Sequence, residues 1–260
     1  LLADPKARAF YLFPTKALAH DQLRRLRPMA QVLGVEGVFP YDGDTPSATR
    51  RQARERGLVL LSNPDMLHYG LLPRHPDWAP FLARLRYVVL DELHAYRGVF
   101  GTHVALILRR LLRLARHYGA SPQVLAASAT IANAREHAEA LTGLPFEELK
   151  AQVARTEREL LVLLPKPLDR RGERRRSPLL EAAYLARRLA EAGLKGLVFA
   201  GARKSAELIA RYAAHPLVRP YRAGYTARER RRLEADLKEG RVRVLVSTSA
   251  LELGVDIGEL

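Results

Sequence analysis

Apolar residues along the chain fall into short unbroken runs, each followed by a longer stretch in which they recur every three or four positions. The first pattern suits strands covered on both faces of a parallel sheet, the second amphipathic helices packed over it. In the first part of the chain the runs at residues 9–13, 35–39, 58–61, 85–90 and 124–127 predict strands. Between them, helices are predicted over 14–33, with Leu18, Leu23, Leu26 and Met29 at helical spacing; over the polar, basic segment 47–56; after the Asn63-Pro64 turn; over 102–118; and after Asn133. The 102–118 helix sets Val104, Leu108, Leu111 and Leu112 against Arg109, Arg110, Arg113 and Arg116, which read as its solvated face. Pro64 suits the first turn of the helix that Asn63 would cap.

The alternation returns in the second part, with strands over 160–164, 196–200, 217–221 and 242–247 and helices over 178–192, 203–213 and 226–239. Repeated strand–helix units with right-handed crossovers build doubly wound parallel sheets. The Pro- and Arg-rich segment 166–177 reads as a linker or exposed loop, and the boundary is placed near 150–157, giving domains of 1–153 and 154–260. The first strand has almost no lead-in and the last run is followed by few residues, so both domains read as truncated.

Composition narrows the partners. Lys and Arg number 43 against 28 Asp and Glu, a net charge of +15 and a sequence pI near 10.5, which favours a phosphate-rich partner. Part of that excess belongs to an Arg-, Ala- and Leu-rich composition overall. With no cysteine there is neither a disulfide framework nor a thiolate metal site, so an intracellular, cytoplasmic setting is expected. No run is long enough to cross a membrane and no signal peptide opens the chain.

The chemistry concentrates where strands end. Leu85 to Leu90 stops at Asp91-Glu92-Leu93-His94, two adjacent carboxylates and a histidine at the edge where parallel sheets bind ligands. One carboxylate could hold hydrated Mg²⁺ and the other orient a water for attack on a phosphate. Other strands end at Pro14-Thr15-Lys16, Ser62-Asn63-Pro64-Asp65, Ser128-Ala129-Thr130 and Ser247-Thr248, the last leading to Gly254-Val255-Asp256.

In this order the motifs resemble those of superfamily 2 DEAD/DEAH-box helicases, along essentially the whole chain. Asp91-Glu92-Leu93-His94 resembles the Walker B box, Ser128-Ala129-Thr130 the coupling motif, and Pro14 to Leu18 and Ser62 to Leu67 the strand-gripping motifs. Thr248, Gly254 and Asp256 match a T-x5-G-x-D motif of the second domain. The stretches 94–104, 221–225 and 250–258 resemble the mitomycin-repair branch of the RecQ-like DNA helicases. The family's phosphate-cradling loop and arginine-finger motif have no counterpart within these residues, and Ala202 stands where a hydroxyl is frequent.

The resemblance implies two tandem RecA-like α/β domains and an ATP-dependent motor that moves along single-stranded or partly duplex DNA, in DNA repair, in the nucleoid-associated cytoplasm of a bacterium or archaeon. It implies ATP and Mg²⁺ as cofactors, with Asp91 as the water-mediated metal ligand, Glu92 as the residue that positions the attacking water, and His94 as the γ-phosphate sensor acting toward Ser128 or Thr130. Gly254 and Asp256 are implied at the nucleotide. Thr15, Lys16, Gly43, Thr45, Ser62, Asn63 and Asp65 are implied at the DNA backbone through hydroxyls and backbone N–H groups, with Arg203, Arg222 and Thr248 doing the same in the second domain. Helix capping alone also accounts for Thr15, Ser62 and Asn63. Two other readings stay open: an RNA helicase or remodeller, and a nucleic-acid-binding fragment without ATPase activity, since residues 1–260 alone are expected to be inactive.

Overall fold

The structure, a computed structural model, describes residues 4–129, 131–150, 159–169, 171, 174–222 and 224–248. The chain divides into two compact units, Leu1–Gln152 and Val153–Leu260.

Unit 1 contains a parallel five-stranded sheet built from β1 (Arg8–Leu12), β2 (Val38–Tyr41), β3 (Val59–Ser62), β4 (Leu85–Leu90) and β5 (Gln123–Ala126), in the order β2-β3-β1-β4-β5. Its helices are α1 (Lys16–Val32), α2 (Ser47–Arg56), the short turn α3 (Pro64–Met66), α4 (Ala79–Leu82), α5 (Gly98–His117) and α6 (Ala134–Thr142). Phe10, Leu12, Leu60, Val88 and Leu90 are fully buried in the sheet and share one core with Leu108 and Leu111 of α5. Burying an aliphatic or aromatic side chain of this size stabilises by about 1.5–3 kcal/mol, so the sheet is held by its apolar runs. Tyr87 and Val89, on the opposite face of β4, are only half-buried, short of the two-sided cover that the run predicts.

Three expectations are corrected, two in unit 1 and one early in unit 2. The run 35–39 is not a strand over that length, because Gly34 and Gly37 take left-handed conformations; β2 starts at Val38, after the Gly37 carbonyl has accepted from Leu58 and Val59 N–H. Met29 is mostly exposed, since only the first half of α1, through Leu18, Ala19, Asp21 and Leu23, reaches the core. Residues 160–164 form no strand; Leu160 to Leu164 are exposed, with no sheet edge paired to them among the described residues.

Unit 2 has α7 (Pro178–Glu191), β6 (Gly196–Phe199), α8 (Arg203–Ala213), β7 (Val218–Tyr221), α9 (Ala227–Lys238) and β8 (Val244–Ser247), its parallel strands ordered β6-β8-β7. Small residues Ala183, Ala186, Ala190, Ala206 and Ala213 let α7 and α8 pack closely over Val244 and Val246. Thr226 and Glu229 form a reciprocal capping box that starts α9. Segment 166–177 is not an open linker throughout: Pro167 and Arg175 form an antiparallel bridge, Leu168 N–H donates to Arg174 O and Arg176 N–H to Lys166 O.

Candidate functional site

Strand β4 is hydrogen-bonded on both sides, and its pairing runs past its end: Asp91 N–H donates to Leu12 O, and Leu93 N–H to Ala127 O. Asp91 and Glu92 are thus held between the tips of β1 and β5, partly exposed. Glu92 sits at φ 49°, ψ 47°, a left-handed conformation that costs a side-chain-bearing residue about 1–2 kcal/mol. Its N–H donates to Asp91 Oδ1 at 2.9 Å, which fixes one carboxylate against the other's backbone, and the Tyr11 hydroxyl also bonds to the Asp91 carboxylate. His94 Nδ1 lies 3.4 Å from Glu92 Oε2, near enough for an ion pair but outside hydrogen-bond alignment.

The loop that carries these groups is packed from below. The Tyr96 side chain is buried and its hydroxyl donates to Leu12 O at 3.4 Å. Gly101 brings α5 against this loop, for a Cβ there would stand 2.3 Å from Tyr96 O. Tyr11 borders the carboxylates; burial, and then the negative charge of Asp91, push its phenol up to about 12. Burial and the Asp91 and Glu92 charges likewise raise Tyr96 well above the ordinary phenol range. Neither tyrosine is conspicuous in sequence, where both read as ordinary apolar-run or loop aromatics. Ser128 follows β5 and is exposed, with no hydrogen bond to His94 among the described residues; His137 Nε2 instead approaches Leu93 O at 3.1 Å. Thr130, Gly254 and Asp256 lie outside the described residues.

A second polar assembly lies at the tips of β1, β2 and β3. Asp42, fully buried, anchors the turn after β2: its Oδ1 accepts from Thr45 Oγ1 at 3.0 Å and Asp44 N–H at 2.9 Å, and His20 Nε2 of α1 stands 2.8 Å from its Oδ2. Arg50 Nη2 closes the turn by donating to the carbonyls of Asp42 and Gly43, each at 2.9 Å. Gly43 is exposed, with open space where a Cβ would be. Lys16 reaches this turn and pairs with Asp44 at 2.6 Å, which holds the Asp44 carboxyl below its ordinary range.

This geometry changes the implied contacts. Thr45 is buried and its hydroxyl also accepts from Asp42 N–H, so the side chain is spent within the turn. Ser62 is fully buried and donates to Tyr41 O at 2.5 Å, out of reach of a ligand at the surface. Thr15 accepts from Leu18 N–H at 3.4 Å and Asn63 from Met66 N–H at 2.8 Å, both as helix caps. Lys16, Gly43 and the exposed Asp65 remain available at the surface. Asp42 holds the turn as its buried hub, a role that its place in the sequence does not announce.

In unit 2, Arg203 is the exposed first residue of α8. Arg222 pairs with Glu207 and lies over the Tyr225 ring, 4.8 Å from its centroid. Thr248 follows β8 and is partly exposed.

Among the described residues, no helix is long and apolar enough to cross a membrane. Residues 1–139 match the DEAD/DEAH box helicase family and residues 179–260 the helicase conserved C-terminal domain. The chain is 42% identical over 267 residues to the ATP-dependent helicase YprA of Bacillus subtilis, covering 99% of this chain and 36% of that protein. It is 35% identical over 278 residues to the ATP-dependent helicase HRQ1 of Saccharomyces cerevisiae, covering 100% and 26%. The crystal structure of the DUF1998 helicase MrfA bound to DNA and AMPPNP superposes with a TM-score of 0.89 at 42% identity, over 99% of this chain and 37% of that one. The chain thus spans about a quarter to a third of the length of these relatives.

Proposed function

The chain belongs to the DEAD/DEAH box helicase family, and from that premise we propose that it is the core of an ATP-dependent DNA helicase, its residues 1–153 and 154–260 being two RecA-like motor domains. The observation that carries this reading is the pair Asp91 and Glu92, held at the end of a strand bonded on both sides and oriented by a left-handed backbone. Support for DNA rather than RNA comes from MrfA, a DNA-bound relative at 42% identity. DNA repair in a cytoplasmic setting is the biological role in keeping with the branch resemblance.

Each residue then has a task. Asp91 would hold a Mg²⁺ ion through intervening water, its carboxylate being placed at the strand tip by the bond from Glu92 N–H. When bound, Mg²⁺ neutralises charge on the β- and γ-phosphates of ATP. Glu92 orients the attacking water and takes its proton, and His94, beside Glu92, reads the γ-phosphate and passes its state toward Ser128 and Thr130. Gly254 and Asp256 contact the nucleotide. Lys16, Gly43 and the backbones of Thr15, Thr45 and the Asn63-to-Asp65 turn grip DNA phosphates, with Arg203, Arg222 and Thr248 gripping from the second domain.

The test is phosphate release by the intact protein with and without single-stranded DNA. Wild type should show DNA-stimulated turnover, and Glu92→Gln should lose at least about 10²-fold in kcat while still binding ATP and DNA. Full turnover in Glu92→Gln would remove Glu92 from the reaction.

A further inference from the structure

Helix α2 was legible in sequence as unusually basic, and no task above uses its arginines. Arg50, Arg51 and Arg54 line a cavity of about 480 Å³ that α2 shares with the segment after α3. That segment is a π-helix, Leu67–Leu71, continuing as a 3₁₀ helix, Leu72–Trp78. π-turns are rare and concentrate at functional sites. Here the wide turn leaves Tyr69 at the cavity with 76% of its surface exposed, so core packing does not account for the ring. The ring is nonetheless held: His68 meets it edge-on at 4.5 Å, and Arg110 Nη1 approaches His68 Nδ1 at 3.0 Å.

The cavity gathers four guanidiniums, from Arg50, Arg51, Arg54 and Arg74, against one carboxylate, Asp77. Arg50 is spent on the Asp42 and Gly43 carbonyls. Arg54 faces Asp77 at a loose 3.5 Å, and among the described residues neither Arg51 nor Arg74 has an ion-pair partner. Arg50, Arg54 and Arg74 all lie near enough to draw the Tyr41 phenol down, against the larger effect of its burial, which raises it. Tyr41 and Trp78 meet edge-to-face at 4.8 Å and close the floor. The volume lies within the range of small-ligand pockets, about 300–1,000 Å³.

A positive groove with an aromatic platform is how single strands are held without sequence preference. Gly43 belongs both to the turn assigned to phosphate gripping and to the cavity lining, so the two surfaces are continuous. We propose that this cavity is a nucleotide pocket on the single-strand track of unit 1, which takes one base against the Tyr69 ring and the adjoining phosphates on Arg51, Arg54 and Arg74. The proposal rests on the reading of this chain as a single-stranded DNA binder. An acidic protein segment could use the arginines, but it would leave the held aromatic face and the continuity with Gly43 without a purpose.

The test uses the intact protein and labelled thymidine oligonucleotides, either complete or with one abasic site moved stepwise along the strand, read by fluorescence anisotropy. Tyr69→Ala should weaken binding of the complete strand roughly 5- to 150-fold, and Tyr69→Phe should bind as wild type. One abasic position should cost wild type that same factor and cost Tyr69→Ala nothing. The double variant Arg54→Gln/Arg74→Gln should flatten the slope of log affinity against log salt by about 0.7–1.4. Tight binding by wild type with an unchanged Tyr69→Ala overturns the pocket and leaves the DNA reading standing. If the unchanged variant also loses binding to a polyglutamate peptide, the cavity serves an acidic segment instead. Absence of wild-type binding overturns the DNA reading first, and the pocket with it.

Discussion

The left-handed backbone of Glu92 can be weighed directly by comparing two substitutions at that position. Glu92→Ala and Glu92→Gly both remove the carboxylate, its contact with His94 and its repulsion by Asp91, so they differ only in the backbone. Alanine keeps the left-handed penalty of about 1–2 kcal/mol. Glycine escapes it but loses about 0.5–1 kcal/mol more conformational entropy on folding. The difference favours glycine by about 1 kcal/mol, and for a unit of this size each kcal/mol moves Tm by about 2–4 °C. The assay is built into the chain: Trp78 is its sole tryptophan, is nearly fully buried and lies within Leu1–Gln152, so its fluorescence follows unit 1 alone. Glu92→Gly should therefore melt about 2–4 °C above Glu92→Ala. Equal melting, or a more stable alanine variant, would refute the claim that this residue holds a strained backbone.

Asp42→Ala should destabilise unit 1 by about 2–3 kcal/mol, because it strips a fully buried acceptor from Thr45 Oγ1 and Asp44 N–H, and urea titration of Trp78 fluorescence measures it. Since folding raises the Tyr11 phenol to about 12, the fold favours its protonated form; that stability is complete below the ordinary phenol value of about 10 and is lost as pH climbs from there to about 12. In an ultraviolet titration Tyr11→Phe should delete a step near pH 12, and Asp91→Asn should move it downward; a Tyr11 step at the ordinary value would contradict its burial beside Asp91. Limited trypsin digestion should cut at Arg171 before Arg175 or Arg176, whose backbone is engaged in the bridge to Lys166, Pro167 and Leu168.

The parallel architecture was legible because buried strands leave unbroken apolar runs, and because α2 and α8 are bounded sharply, over Ser47–Arg56 and Arg203–Ala213, at the limits that the pattern predicts. The run at 160–164 shows the weakness of the same signal: apolarity marks a segment able to pair, and among the described residues this one pairs with no strand. The carboxylates at 91 and 92 were visible as a motif, while the backbone that aims Glu92 was not, since a left-handed glutamate has no sequence signature. Residues of the gripping turns were visible by type, yet their hydroxyls could not be divided between caps and ligands. Ser62 donates to a carbonyl contributed by Tyr41, a partner that only the sheet brings near. The cavity beside α2 was hidden for a similar reason, as a π-turn leaves no periodicity of its own and its walls come from distant segments.

The strand order β2-β3-β1-β4-β5 has a consequence in time as well as in space. β4 is laddered to a neighbour on each side, so the amides of Val88, Val89 and Leu90 can exchange with solvent only when a large part of unit 1 opens. β2 is bonded to β3 alone among the described residues, and the Asp42 turn at its tip is tied mainly by side chains. Local opening at that end costs far less than opening at the carboxylates. The turn assigned to DNA phosphates can therefore loosen and re-form many times while the groups assigned to hydrolysis stay in register, a separation of rates set by the position of each strand in the sheet.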